Sequence, residues 1–267
     1  MNSEGPHRLC CLILTTGDEA ALSRTLEDAA FADQRTIAVA ADHSAPFNAI
    51  NPAIPVVRFD EAVAAIAAPW TLILFAGDSV TTALAEECRA ACSRESEQKS
   101  VALFIESYFL NHRMRRSGLS PHAETRLIRT ELVHDFLAVQ NGNLGMLQSS
   151  VILRAPLIHH DALTLQNLIT HLNDVTSLEA GITARGDIRS DGRRPSFVLA
   201  PFREFIHVYI GMQGFRDGIH GFLYATYIAV RVLLAAAKRW EYARAVIGKT
   251  ELPPVTSNDL IKLKQLG

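Results

Sequence analysis

The chain lacks a glycine-rich phosphate loop. A single glycine stands in the "TTGDEA" turn, and neither G-x-G-x-x-G nor a Walker pattern occurs anywhere. That argues against a dinucleotide site of the usual kind and against a P-loop nucleotidase. Long apolar runs are missing too: no stretch reaches the roughly 18 uninterrupted apolar residues of a spanning helix. The opening "MNSEGPHRLCCLILTTGD" holds an apolar run of only six residues and no small-residue cleavage pattern. It reads as a first strand rather than a leader, and the expected compartment is cytoplasmic. Cysteine is scarce, with four in 267 residues. Cys10 and Cys11 are adjacent and would face opposite sides of a strand, while Cys88 and Cys92 are four apart on an expected helix. Neither pair has the ligand count or spacing of a zinc site, so reduced, packed thiols are expected.

Near-neutral charge conceals an asymmetry. Residues 1–110 carry 7 Lys+Arg against 15 Asp+Glu, and residues 111–267 carry 19 against 13. A basic second half suits an anionic partner such as phosphate, lipid head groups or nucleic acid, although ordinary surface variation produces such imbalances as well.

The first 107 residues alternate short apolar runs with helical patterns. "RLCCLILT", "RTIAVAA", "IPVVRF", "WTLILF" and "SVALFIE" read as strands. "EAALSRTLEDAAF", "DEAVAAIAA" and "VTTALAEECRAAC" read as helices, the first with Leu22, Leu26, Ala29 and Ala30 at helical spacing. Strands separated by helices predict an α/β fold with a mostly parallel, doubly covered sheet. Ligands of such sheets sit beyond the carboxyl ends of the strands, which are Thr15–Glu19, Ala41–Pro46 and Ala76–Val80 here.

After residue 107 the texture changes. "NHRMRRSGLSP" is a basic loop, "ETRLIRT" and "VILRAPLI" suggest strands, and "LTLQNLITHLNDVTSLEAG" an amphipathic helix. The polar "ITARGDIRSDGRRPS" marks a linker, placing a boundary between residues 1–196 and 197–267. Beyond it, "FVLAPFREFIHVYIGMQ" carries Phe202, Phe205, Ile206, Tyr209 and Ile210 in one helical stripe. "FLYATYIAVRVLLAAAKRWEYARAVI" is a long apolar helix ending in cations and an indole. Either it lies in a membrane interface or it packs against the domain.

Three stretches carry a family resemblance. One is "PFREFIHVYIGMQGFRDGIHGFLYATYIAVRVLLAAAKRWE", with Pro201, Phe205, Tyr209, Gly214, Asp217, Gly221 and Lys238 in register. Another is "YFLNHRMRRSGLSPHAETRLIRT", with Tyr108, Arg115, Gly118, Pro121, Arg126 and Arg129 matching without a gap. The third pairs "LILTTGDEAALSRTLEDAAFAD" with "WTLILFAGDSV". Together they resemble bacterial family 2 glycosyltransferases of GT-A fold, in the subgroup that builds lipopolysaccharide core and related envelope polysaccharides. The resemblance implies transfer of a sugar from a UDP-type nucleotide sugar to a lipid-linked saccharide acceptor. It places the protein on the cytoplasmic face of the inner membrane and implies no nucleic-acid partner. Mg²⁺ or Mn²⁺ would neutralise the departing diphosphate, and a carboxylate would act as base on the acceptor.

The same alignment shows what has changed. Where the family reads Lys-Asn-Glu stand Thr16, Gly17 and Asp18, leaving Asp18 or Glu19 for the nucleotide. The family's Asp-Ser motif corresponds to Asp42 and Ser44. Its two-aspartate metal motif falls on Phe75, Ala76, Gly77 and Asp78, so both metal aspartates are gone and Asp78 stands at the following acidic position. His159 matches a histidine near the donor phosphates, which makes Asp78 and His159 the metal candidates. The family's His-Glu base aligns with Asn141 and Gly142, which cannot accept a proton. The nearby His134-Asp135 makes Asp135 the candidate base. Arg113, Arg115, Arg116 and a cleft-facing Arg126 would grip acceptor phosphates. Two readings follow: an active transferase with a rewired site, or a family-2-like scaffold that has lost transfer and binds a partner at the membrane.

Overall fold

The computed structural model describes residues 8–15, 19–39, 53–58, 61–93, 98–119, 121–134, 149, 151–160, 164–186 and 199–247. The chain is mixed α/β and divides into two compact units, residues 1–106 with 121–160, and residues 107–120 with 161–267.

The first unit is built on a twisted sheet. Strands β1 (Leu9–Thr15), β2 (Gln34–Val39), β3 (Val56–Arg58) and β4 (Trp70–Phe75) pair in parallel in the order β3-β2-β1-β4. Every residue of β1 and β4 is buried. Continuous apolar runs without alternation are what a strand covered on both faces requires. Helix α1 (Glu19–Asp28) packs on β1, β4 and β5, and α2 (Thr82–Ser93) packs on β9. The sheet then continues with β8 (His122–Arg129), β6 (Ser100–Phe109), β9 (Ile152–His160) and β5 (Asp78–Val80). Here β4–β8, β8–β6 and β9–β5 are antiparallel. The parallel arrangement therefore holds from β3 to β4 and gives way beyond β4. Leu72↔Leu127 and Val101↔Leu127 carry one core across both halves.

Cys10, Cys11 and Cys88 are buried and reduced, and Cys92 is half-buried. Burial pushes the Cys10 and Cys92 thiols up to about 12, which leaves them protonated and unreactive.

The second unit is mainly helical: α3 (Leu165–Gly186), α4 (Leu199–Ile206) running into a π turn (His207–Gly211), a 3₁₀ turn (Gly214–Asp217) and α5 (Gly218–Ile247). The end of β6 also belongs here and pairs with β7 (His112–Arg113). Leu110 and Asn111, at φ 49° and 62°, make the tight turn between them. Phe109, Met114, Leu172, Val208, Tyr224 and Tyr227 form the core of this unit.

Two polar clasps tie α3 to α5. Arg231 Nε donates to Glu179 Oε1 at 2.9 Å. Lys238 Nζ donates to Asn173 Oδ1, Thr176 Oγ1 and Ser177 Oγ at 2.7–2.9 Å. These clasps explain why the division falls at 160/161 and not at 196/197 as the linker-like composition suggests: α3 belongs with the closing helices. Lys238→Met is expected to cost about 1–3 kcal/mol, because the buried Thr176 and half-buried Ser177 hydroxyls lose a charged donor. Denaturant unfolding checks it.

Candidate functional site

Parallel strands β2 and β4 lie on opposite sides of β1, so the order reverses between β1 and β4. Such a reversal opens a crevice beyond the strand ends. Leu14 pairs with Phe75, and the Ala76 N–H donates to Leu14 O at 2.9 Å, so the ends of β1 and β4 lie side by side.

The β4 turn is tightly held. Gly77 has φ 105°, a conformation that favours glycine, and a Cβ there would lie 3.3 Å from His160 O. Thr25 of α1 locks it: its Oγ1 accepts the Gly77 N–H at 3.0 Å and donates to Asp78 O at 2.9 Å. Asp78 to Val80 then form β5 against β9, with Asp78 opposite His159. This segment, read from sequence as part of an open ligand loop, is instead a paired strand at the sheet edge.

Asp78 is 1% exposed. Its Oδ1 accepts from His159 Nδ1 at 2.6 Å, and its Oδ2 accepts the Phe75 N–H at 2.8 Å. Arg126 Nη1 lies 3.9 Å from the same Oδ2, and Arg126 Nη2 pairs with Glu124 Oε2 at 3.0 Å. The guanidinium stacks on Phe75, 4.2 Å from its ring centroid. Burial alone would push the Asp78 carboxyl up. The hydrogen bond and charge of His159, the charge of Arg126 and the Phe75 N–H outweigh it and hold the group below the usual aspartate value.

Three sequence expectations change on this geometry. Asp78 and His159, expected as metal ligands, are spent on each other, and the second Asp78 oxygen is taken by Phe75 and Arg126. A divalent ion wants several anionic or neutral oxygens. Among the described residues no group of three His, Cys, Asp or Glu side chains converges to hold one. In this arrangement both Asp78 oxygens are already engaged by protein groups. Arg126, expected to face a cleft and grip the acceptor, is 4% exposed and serves as the counter-ion of Asp78. Its Nε and Nη1 have no hydrogen-bond acceptor among the described residues.

The remaining expected residues are scattered. Glu19 begins α1 and is exposed. Asp18, Asp42, Ser44 and Asp135 lie outside the described residues. Arg113, Arg115 and Arg116 are exposed and belong to the second unit.

There the basic loop is fastened by a residue that sequence reasoning gave no role, Asp217. Its carboxylate accepts the Arg115 N–H (3.2 Å), the Arg116 N–H (2.9 Å) and the Ser117 hydroxyl (3.1 Å). The backbone is anchored while both guanidinium groups stay in solvent. Asp217 stood out only as one of the in-register residues of the resemblance; its partners lie about a hundred residues away.

No family model matches the chain, and no curated protein matches it significantly.

Proposed function

We propose that the protein is a glycosyltransferase-like protein of GT-A type. It would take a sugar from a UDP-type donor held at the β1/β4 crevice and pass it to a lipid-linked envelope saccharide at the cytoplasmic face of the inner membrane. The observation that carries this reading is the reversal of strand order at β1, with the Leu14–Phe75 pair setting the ends of β1 and β4 side by side. Asp135 is the proposed base, and Asp18, Glu19, Asp42 and Ser44 the proposed donor contacts. Asp78 acts here by shaping the β4 turn and fixing Arg126 and His159, not by holding a cation.

The closed Asp78 pair also favours a second reading, a scaffold of the same fold without transfer activity. Thermal shift of the full chain with UDP-sugars separates the two. A ligand at a hundredfold excess over its Kd stabilises by about 2.7 kcal/mol. The transferase reading predicts a donor-dependent rise in Tm that Mn²⁺ does not enlarge, together with UDP release when lipid-linked acceptor is added. Donor binding without UDP release identifies the scaffold. No shift with any donor contradicts both.

A further inference from the structure

The second unit has an apolar face that its own core does not use. On α4 and the π turn, Leu199, Phe202, Ile206 and Ile210 recur at helical spacing with 69, 63, 36 and 57% exposure. Phe215, Ile219 and Phe222, again at helical spacing, are 52, 63 and 42% exposed. Half-buried Phe205 and Tyr209, beside the first row on the same helical segment, bridge to the second: Phe222 stands 5.7 Å from Phe205 and 5.9 Å from Tyr209, and Phe215 stands 6.4 Å from Tyr209. A contiguous apolar surface of this kind marks an interaction site.

Charge identifies the occupant. Residues 107–119 and 199–247 together carry nine Lys+Arg and three Asp+Glu. Of the acids, Asp217 is buried under the basic loop and Glu204 is paired with Arg203 at 3.1 Å. Exposed Arg115, Arg116 and Arg216 border the apolar rows. The loop holding the first two is bound to the π turn by the Ser117 N–H to Met212 O, 3.3 Å. A rim of arginines beside exposed Phe and Ile is the pattern of a surface that inserts apolar side chains at the headgroup boundary and binds lipid phosphate around them.

We propose that this face, from α4 to the first turns of α5, is the docking surface for a bilayer rich in anionic lipid. The Phe202 and Ile219 rows enter the acyl boundary, and Arg115, Arg116 and Arg216 meet headgroup phosphates. The expected anchor at the far end of α5 is not the contact. Lys238 is engaged with α3, and Arg244 stacks over Trp240 at 4.3 Å. α5 is apolar and long enough to cross a membrane. Yet its Arg231 is committed to Glu179, and that pairing fits a helix packed on α3 with one end at the interface. The inference rests on the membrane location proposed above, not on sugar transfer.

The test is co-sedimentation of the full chain with phosphatidylcholine vesicles containing or lacking 30 mol% phosphatidylglycerol, with circular dichroism confirming the fold of each variant. Phe202→Ser combined with Ile219→Ser is expected to reduce binding to anionic vesicles at least tenfold. Arg115→Ala, Arg116→Ala and Arg216→Ala are expected to weaken it by roughly fivefold each, with little change on neutral vesicles. Arg239→Ala with Trp240→Ala is expected to bind as wild type. Unchanged binding in the Phe202/Ile219 variant, or loss only in the Arg239/Trp240 variant, overturns this surface while leaving a membrane location intact. A wild-type chain that binds neither vesicle overturns both. A wild-type dimer that Phe202→Ser and Ile219→Ser render monomeric assigns the face to a second copy instead and overturns the lipid assignment.

Discussion

Asp78→Asn will lower the unfolding free energy by about 3–5 kcal/mol, the usual cost of removing one partner from a buried ion pair. Asn retains the shape and can still accept from Phe75. What it cannot do is balance Arg126, whose side chain is 5% exposed and would keep only Glu124 as counter-charge. A drop of this size corresponds to a Tm lower by on the order of 10 °C for a domain of this length. Arg126→Met alone is also destabilising, because it strands the carboxylate. The double variant costs less than the sum of the two, since neither charge is then left alone. Acid unfolding gives an independent reading with a definite sign. The folded-state value of Asp78 lies below its ordinary value of 3.8. The group therefore contributes stability that is fully present above that ordinary value and is lost as pH falls through the lowered one. In Asp78→Asn this part of the acid limb disappears. Equal acid sensitivity in the two proteins would mean that the pair stabilises nothing.

Gly221→Ala is expected to be comparably severe for a steric reason. A Cβ at residue 221 would stand 1.9 Å from Gly214 O and 2.8 Å from Gly214 C, both backbone atoms of the preceding turn. No side chain can swing aside, so α5 or the 3₁₀ turn must move. Gly214 is confined too, though less tightly: a Cβ there would meet Val208 O at 2.9 Å and Ser117 Oγ at 2.8 Å. Moving the turn also displaces Asp217 and so frees the basic loop. We expect a loss of about 3 kcal/mol or more, at the upper end for overpacking. Vesicle binding should weaken as well, because the proposed lipid surface is assembled on this turn. Gly218→Ala is the informative comparison. Nothing lies within 4 Å of a Cβ there, so its cost is that of the backbone alone, φ 63° with ψ −137°, a region that only glycine adopts readily, about 1–3 kcal/mol. Urea midpoints for the two variants check the ranking; if Gly221→Ala proves the milder, the close approach is not what holds this turn.

The parts of the fold legible in the sequence were those encoded locally. Uninterrupted apolar runs at Leu9–Thr15 and Trp70–Phe75 announce strands buried on both faces, and the helical spacing of Leu22 and Leu26 announces α1. Strand direction is not local. Nothing in "ETRLIRT" or "VILRAPLI" distinguishes antiparallel from parallel pairing, because the same residues serve either ladder. The three-residue β5 was hidden for a related reason, since its partner β9 lies some eighty residues on. The candidate site divides the same way. Asp78 stood out as the acid left at a strand end. Its engagement with His159 and Arg126 depends on β9 and β8 arriving beside it, which no spacing rule contains. Arg126 was expected to face a cleft and grip acceptor phosphates; the buried carboxylate of Asp78 and the face of Phe75 hold it inside instead.

The central claim is that a UDP-sugar binds at the strand ends where the order reverses. Photolabelling of the full chain with a 5-azido-UDP-sugar, with and without excess UDP, followed by peptide mapping, tests it directly. The account predicts UDP-competed label on peptides carrying Thr15–Glu19 or Ala76–Val80. Label confined to residues 161–267, or label that UDP does not displace, would contradict it.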